Sequence, residues 1–399
     1  MIVNCPILRN FIGHLFSQDT DQHNHEKLGC TEKGCVLVRF DEINLRSYLE
    51  TRFGDTVEIG DIRQLTGKGG GGEALKQFGY GRPFLVSCRI GDANRRLVFH
   101  RIRSNAFGRE REEDRVAAVW LDFKTFGRLP RHVPAADMII RTQEGKLKSV
   151  RDAKEMLLVT DYRDGQLYAE DLIRIRDNPT VTPLDLLRAK RLGTYLAEIH
   201  RKKREDPALW RRRLRDLIGH GEGIMGLTDS YPADQAYAPQ DYLRSLEEMA
   251  NRWRWRLKPL NQRLSQVHGD FHPFNIIFEG PDCFWVLDRS RGEWGEPADD
   301  VSCMAINYLF FSLQRFGKLE HPFTDLHDTF WNSYFAVASD EGLLKVIQPW
   351  FAWRALVLSS PVWYPDLDTE VRVKLLRFAR RVMTLKRYDL SKVNRYIAS

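Results

Sequence analysis

The residues best placed to do chemistry lie between Val267 and Asp288. The run Val267-His268-Gly269-Asp270-Phe271-His272-Pro273-Phe274-Asn275-Ile276-Ile277-Phe278 is followed closely by Cys283-Phe284-Trp285-Val286-Leu287-Asp288. Residues 276–278 and 284–287 read as two short apolar strands, and Glu279-Gly280-Pro281-Asp282 between them is turn chemistry. Such a hairpin folds the chain back, so Asn275 and Asp288 emerge at the same end, with Asp270 on the loop just before it. An amide and two carboxylates gathered in this way suit a magnesium-dependent phosphoryl transfer. Mg²⁺ takes hard oxygen ligands and is held by one or two carboxylates together with substrate phosphates. A separate carboxylate must orient the attacking hydroxyl and accept its proton. An Asp and an Asn alone would read as a capped loop. His268, Gly269 and the return of Asp288 at hairpin spacing favour the catalytic reading.

The elements that must carry this hairpin divide the chain by character. A helix is expected to start at Asp41, a good N-cap, to carry Ile43, Leu45, Tyr48 and Leu49, and to stop at Gly54. Short β-rich runs follow at 57–65, 84–90, 96–102 and 156–161, with a charged helix at 109–126 between the third and the fourth. Beyond Asp164-Gly165 the chain reads as helical. Thr182 caps a helix with Pro183 at its first position, and Leu192, Tyr195, Leu196 and Ile199 recur at helical spacing. Further amphipathic helices are expected at 301–316, 326–338, 342–358 and 369–385. The expectation is an α+β chain: a poorly ordered tail over 1–40, a small antiparallel β lobe over 41–163, and a larger helical lobe over 164–399 with a cleft between the lobes.

The catalytic stretch resembles the aminoglycoside phosphotransferase-like, or choline-kinase-like, group within the protein-kinase-like fold. That family's brief motif, His-Gly-Asp, four residues, then Asn, is matched from His268 to Asn275 without a gap, and its later metal-binding Asp is matched by Asp288. Its Gly-Asp-Pro-Ala-x-Asp segment looks like Gly295-Glu296-Pro297-Ala298-Asp299-Asp300, and its hinge looks like Leu157-Leu158-Val159-Thr160-Asp161-Tyr162. The resemblance spans roughly 55–310. It implies a two-lobed kinase-like fold, Asp270 as catalytic base, His268 as a structural member of the catalytic loop, and Asn275 and Asp288 as magnesium ligands. It also implies that Asp300 braces the catalytic loop and that the backbone of Thr160, Asp161 and Tyr162 meets adenine. His272 is read as packing under the loop rather than meeting phosphate.

Two places need closer comparison with that pattern. Gly67-Lys68-Gly69-Gly70-Gly71-Gly72 lies where the fold places its phosphate-covering loop; glycines let backbone N–H groups approach phosphate, and Lys68 adds charge. It is not a P-loop, since no Gly-Lys-Ser/Thr follows a four-residue spacer. On the third strand the family expects a phosphate-pairing Lys, and this chain has Leu97-Val98-Phe99-His100-Arg101-Ile102-Arg103. His100 takes the register if Val98 lies against adenine, and Arg101 takes it if the register slips by one; the two face opposite ways. Glu110, Glu113 and Asp114 are candidates for the usual acidic partner, and each reads equally as a solvated helix face.

Composition limits the rest. The 61 Lys and Arg against 54 Asp and Glu leave a net charge of +7, and 43% of residues are hydrophobic, which excludes wholesale disorder and fibrous repeats. No apolar run reaches the roughly 18 residues that span a bilayer. Six cysteines in a chain of 399 residues do not make a disulfide scaffold, so a cytoplasmic protein with reduced thiols is expected. His23, His25, Cys30 and Cys35 are a zinc-capable set at no recognised zinc spacing, and read as a tail with incidental Cys and His. The arginine-rich run over 201–215 reads as a solvated helix edge rather than a nucleic-acid surface. Residues 217–231, with several glycines and Glu222, read as an irregular loop beside the acceptor. The resulting expectation is an ATP- or GTP- and Mg²⁺-dependent transfer of a γ-phosphoryl group to a small-molecule hydroxyl. The acids Asp270, Asp288, Glu293 and Glu296 suit a cationic acceptor. A nucleotide-binding module without transfer and an atypical protein kinase are the rivals.

Overall fold

The structure, a computed structural model, describes residues 41–65, 83–128 and 130–398. The candidate phosphate loop (Gly67, Lys68, Gly69, Gly70, Gly71) and the His23, His25, Cys30, Cys35 set lie outside the described residues. The chain divides into two compact units at Thr160 and Asp161. The small antiparallel sheet and the larger helical part expected of the sequence are both present, one in each unit.

In the first unit, α1 (Glu42–Phe53) begins where Asp41 Oδ1 accepts from the Ile43 N–H at 3.1 Å and ends at Gly54, whose φ of 71° is the left-handed conformation a helix stop favours. Its Leu45, Tyr48 and Leu49, spaced to share one face, are buried. They pack on an antiparallel sheet of β1 (Val57–Gln64), β2 (Phe84–Ile90) and β3 (Ala93–Phe99), in that spatial order, through Val57, Val86, Cys88 and Ile90. β3 starts three residues before the expected position. Gly91, at φ 55°, and Asp92 form a two-residue turn, so pairing resumes at once between Ile90 and Ala93. The polar Asn94, Arg95 and Arg96 conceal this in the sequence, because all three are exposed. Then come α2 (Glu112–Thr125) and a hairpin of β4 (Ile139–Arg141) and β5 (Leu147–Ser149), which the sequence reading missed. The strand expected over 156–161 does not form: Leu157, Leu158 and Val159 are 80%, 90% and 89% exposed. Apolar, β-branched residues favour a strand only where a neighbouring strand takes their N–H and C=O groups, and no described strand pairs with this run.

The second unit opens with β6 (Gln166–Leu167) and two helices, α3 (Tyr168–Asp177) and α4 (Pro183–His200), the latter capped by Thr182 in a reciprocal box with Asp185. α5 (Pro207–Gly219) carries the arginine-rich run, and α6 (Ile224–Asp229) replaces part of the expected irregular loop, with Ile224 and Leu227 buried. α7 (Gln240–Leu257) was not read from the sequence. After β7 (Ser265–Gln266) comes the hairpin of β8 (Ile276–Phe278) and β9 (Phe284–Val286), paired from Ile276 opposite Val286 to Phe278 opposite Phe284, with β6 on its other side. β10 (Trp294–Gly295) pairs with β7. The remainder is helical: α8 (Pro297–Phe316), α9 (Phe323–Val337), α10 (Gln348–Ser359), α11 (Thr369–Thr384) and α12 (Val393–Ile397). α8 is buried at every position from Pro297 to Leu313, so its apolar residues fill the core and its polar ones, Asp299 and Asp300 among them, need partners there. α4 and α9 cross at close range: a Cβ on Gly193 would lie 2.5 Å from the Phe330 carbonyl oxygen, so only glycine fits. Among the described residues no helix is long and apolar enough to cross a membrane.

Candidate active site

The loop between β7 and β8 is held from below by one buried acid. Asp300, fully buried in the first turn of α8, accepts the His268 N–H on one oxygen and the Gly269 N–H on the other, both at 2.7 Å. The His200 ring, at the end of α4, bonds the first of those oxygens through Nε2 at 3.1 Å. Burial opposes ionisation of Asp300, but the His200 ring and the backbone donors outweigh it and hold the carboxyl below its ordinary range. Gly269 has φ 92°, a conformation that other residues rarely adopt. His268 is itself buried; its Nδ1 accepts the Asp270 N–H at 3.2 Å, and its Nε2 finds no partner. The ring therefore sets the backbone of the loop.

The same loop presents Asp270. Oδ1 is held by Arg291 Nη1 at 2.6 Å and Arg354 Nη1 at 2.7 Å, while Oδ2 lies 3.7 Å from His272 Nε2, beyond hydrogen-bond reach. Burial would raise this carboxyl; Arg354 and Arg291 overcome it and hold it at about 2. Asp270 thus carries a charge with Oδ1 committed to the two arginines and Oδ2 outside those pairs. Burial lowers the His272 ring against the pull of Asp270. Its Nδ1 accepts the Phe274 N–H at 3.2 Å, which caps the short helical turn Pro273–Asn275.

That turn ends at Asn275. Its side-chain Nδ2 donates to the Asp270 carbonyl at 3.1 Å, which leaves the amide oxygen outside that bond. The Asn275 carbonyl accepts the Leu287 N–H at 2.8 Å, so the hairpin closes one residue before Asp288. Asp288 is exposed, has φ 52°, and accepts the Ser290 N–H on Oδ1 at 3.2 Å. A non-glycine residue in the left-handed region is strained, and such positions concentrate at functional sites. Asn275 and Asp288 offer hard oxygens only, and among the described residues no three His, Cys, Asp or Glu gather as a closed metal cage. A pair of oxygen ligands completed by water and phosphate fits Mg²⁺ and does not fit a structural zinc site.

The other expected site residues have different surroundings, each within its own unit. His100 is exposed just past the end of β3, and Arg101 is exposed beside it. Thr160, Asp161 and Tyr162 lie in an exposed stretch without regular structure. Glu296 is not an acceptor acid. It is 2% exposed and accepts a bidentate pair from Arg263, with bonds from 2.5 to 3.0 Å. Glu293 accepts from the Trp294 ring N–H at 2.7 Å.

The sequence reading missed the arginines. Arg354 in α10 also donates to Asp299 at 2.6 Å and to the Gly269 carbonyl at 3.1 Å, and lies 4.0 Å from the Trp353 ring. Arg213 in α5 donates to Asp299 at 3.3 Å and to the Arg291 carbonyl at 2.5 Å. The signal for Arg354 was a lone cation in Trp350-Phe351-Ala352-Trp353-Arg354-Ala355-Leu356. A charge in a helix so apolar needs a buried partner. For Asp299 it was the doubled acid at the start of α8.

The chain belongs to the phosphotransferase enzyme family, whose model matches residues 87–320, more than half of the sequence. Among solved structures it is similar to a glucosamine kinase in complex with glucosamine, ADP and inorganic phosphate (19% identity over 53% of this chain and 59% of that one, TM-score 0.37). Others are a choline/ethanolamine kinase family protein from Mesorhizobium loti (14% identity, 78% of this chain and 88% of that one, TM-score 0.37) and the choline kinase LicA from Streptococcus pneumoniae (11% identity, 86% and 98%, TM-score 0.33). The chain spans less than two thirds of the glucosamine kinase of the first comparison. A search of curated proteins finds no match.

Proposed function

We propose that the protein is a nucleoside-triphosphate-dependent phosphotransferase, with ATP as the expected donor and GTP as its alternative, acting on a hydroxyl of a small molecule. The observation that carries this reading is the Asp300 clamp. It immobilises the backbone of His268 and Gly269, so Asp270 is delivered to a defined place with Oδ2 outside the arginine pairs and with Asn275 bonded to its carbonyl. Asn275 and Asp288 would hold Mg²⁺, which supplies neutralisation of the charge that develops on the phosphates.

The chemistry of the chain itself follows from Asp270. Its Oδ2 accepts a hydrogen bond from the acceptor hydroxyl and aims the oxygen at the γ-phosphorus. The O–P bond forms as the bond from the γ-phosphorus to the bridging oxygen breaks, the nucleoside diphosphate leaves with the electron pair, and the hydroxyl proton passes to Asp270. A carboxylate held at about 2 is a weak base, which suits a loose transition state in which the proton leaves late. A small acceptor is supported by the short segment after Asp288: five residues separate it from β10, too few for a long regulatory loop. Use of a nucleoside triphosphate fits a cytoplasmic location.

The exposed His100, in place of a paired lysine, favours a second reading, a nucleotide-binding module without transfer. One experiment separates the two. Nucleoside diphosphate release is measured against pooled aminoglycosides, amino alcohols, sugars and hydroxy acids, for the wild type and Asp270→Ala, alongside thermal melts with ATP and ATP plus Mg²⁺. Transfer lost in the variant supports the enzyme. Equal behaviour with a nucleotide-dependent melt supports the module, and no shift with any nucleotide removes both.

A further inference from the structure

The charges around Asp270 form a network. Four acids, Asp270, Asp299, Glu222 and Asp216, are tied to the guanidinium groups of Arg213, Arg291 and Arg354. Asp299 is 2% exposed and shared by Arg354 and Arg213; Asp270 is shared by Arg354 and Arg291; Glu222, ahead of α6, pairs with Arg291 at 3.2 Å. A cationic acceptor arriving here would have to strip an acid from its arginine, and would leave that arginine exposed to a second positive charge.

The three arginines differ in how firmly they are placed. Arg354 is 4% exposed and tied to Asp299, the Gly269 carbonyl and the face of Trp353. Arg213 is held against Asp299 and the Arg291 carbonyl. Arg291 stands on the open segment between Asp288 and β10, with a side chain 20% exposed, and its outer partner Glu222 has a side chain 58% exposed. Its guanidinium lies 5.0 Å from the centre of the Trp353 ring, farther than the 4.0 Å of Arg354. Arg291 also donates to the Gly269 carbonyl at 3.3 Å, but its side chain is the most exposed of the three, so a ligand reaches it most readily.

We infer that the acceptor carries an anionic group, a carboxylate or a phosphate, beside the hydroxyl that is phosphorylated, and that Arg291 receives this group and so determines acceptor specificity. The inference rests on the phosphotransferase reading above and names its substrate class. An Arg–carboxylate or Arg–phosphate pair is bidentate and charge-assisted, so the acceptor's own charge compensates Arg291 for weakening its bond to Asp270. A neutral acceptor forms neither pair. The γ-phosphate of the nucleotide has the same chemistry, and the experiment separates it from an acceptor group.

The test uses matched acceptors on one carbon skeleton: glycerate, glycerol and 3-amino-1,2-propanediol, then gluconate, glucose 6-phosphate, glucose and glucosamine, with ATP and Mg²⁺ and the full chain. The expected result is at least a tenfold preference in kcat/KM for the anionic member of a set. In Arg291→Gln that preference collapses through KM for the acceptor, and Arg291→Lys partly restores it. A preference for the neutral or cationic member overturns the inference and leaves the phosphotransferase standing. A loss in Arg291→Gln that falls on KM for ATP alone, without dependence on acceptor charge, also overturns it and assigns Arg291 to the γ-phosphate. If no acceptor is turned over and Asp270→Ala matches the wild type, the enzymatic reading fails. Calorimetric titration with inorganic phosphate then decides the site, and affinity unchanged by Arg291→Gln removes the inference as well.

Discussion

Around Asp270 the polar groups of the second unit are buried and held from several elements at once: a loop, the start of α8, the end of α4 and the middle of α10. In the first unit the counterparts expected from the sequence stand in the open. His100 and Arg101 are exposed, and the apolar run 156–159 is 62% to 90% exposed. The cores differ in the same sense. The first unit packs around Leu45, Tyr48, Leu49 and a few strand residues, whereas the second buries an entire helix, α8, among its neighbours. A side chain acquires a fixed position, and a shifted acidity, when burial makes its hydrogen bonds obligatory. The contrast teaches that the loop carrying Asp270 is pre-organised by packing within its own unit, while the described first-unit candidates, His100, Arg101 and Thr160, are exposed.

Four measurements would break or sharpen this contrast. Asp300→Ala removes the acceptor of two backbone N–H groups and of the His200 ring, and should destabilise the protein by about 3–5 kcal/mol. Denaturant unfolding checks it, and a change below about 1 kcal/mol would mean that the loop is not clamped. Asp270→Ala should lower kcat by about a thousandfold, within the usual span for a lost general base, with little change in the fold by circular dichroism.

Third in size is a pH effect. Asp270 is held at about 2, below the ordinary carboxylate value of about 4, so its ionised form contributes stability that is fully present above about pH 4. That contribution is lost as pH falls through about 2. The shift corresponds to roughly 2 kcal/mol. The stability gap between wild type and Asp270→Asn should therefore be widest near neutral pH and close as acid is added, and a gap independent of pH would show that the arginine pair does not act on Asp270. The smallest effect belongs to the first unit. His100→Ala and Leu158→Ser should each change stability by less than about 0.5 kcal/mol, as exposed positions do. A larger loss at Leu158, read by thermal melting, would show that this run is covered in solution.

Much of the second unit was legible in advance, for reasons that are local. The hairpin over residues 276–286 follows from two apolar runs around Glu279-Gly280-Pro281-Asp282, and the structure pairs it in that register. The Thr182-Pro183 start of α4 and the Asp41 and Gly54 ends of α1 were equally readable, since caps act within one turn. The Asp300 clamp, by contrast, was implied by family resemblance. Legibility failed where the decision was not local. The run 156–161 has the composition of a strand but no partner among the described strands, and β3 begins among polar residues because a two-residue turn starts its pairing there.

The sequence by itself determined a small sheet followed by helices, the hairpin that brings Asn275 and Asp288 to one end, and the glycine that lets the loop before Asp270 turn. These depend on side-chain period, turn chemistry and backbone freedom, all set by neighbours in the chain. Only the tertiary structure decided that Arg354, 84 residues beyond Asp270, and Arg291 would close on the same oxygen, and that Glu296 would be spent on Arg263. Charges buried far apart in sequence find partners through packing, and desolvation makes those pairings, invisible in the sequence, set the acidity of the site.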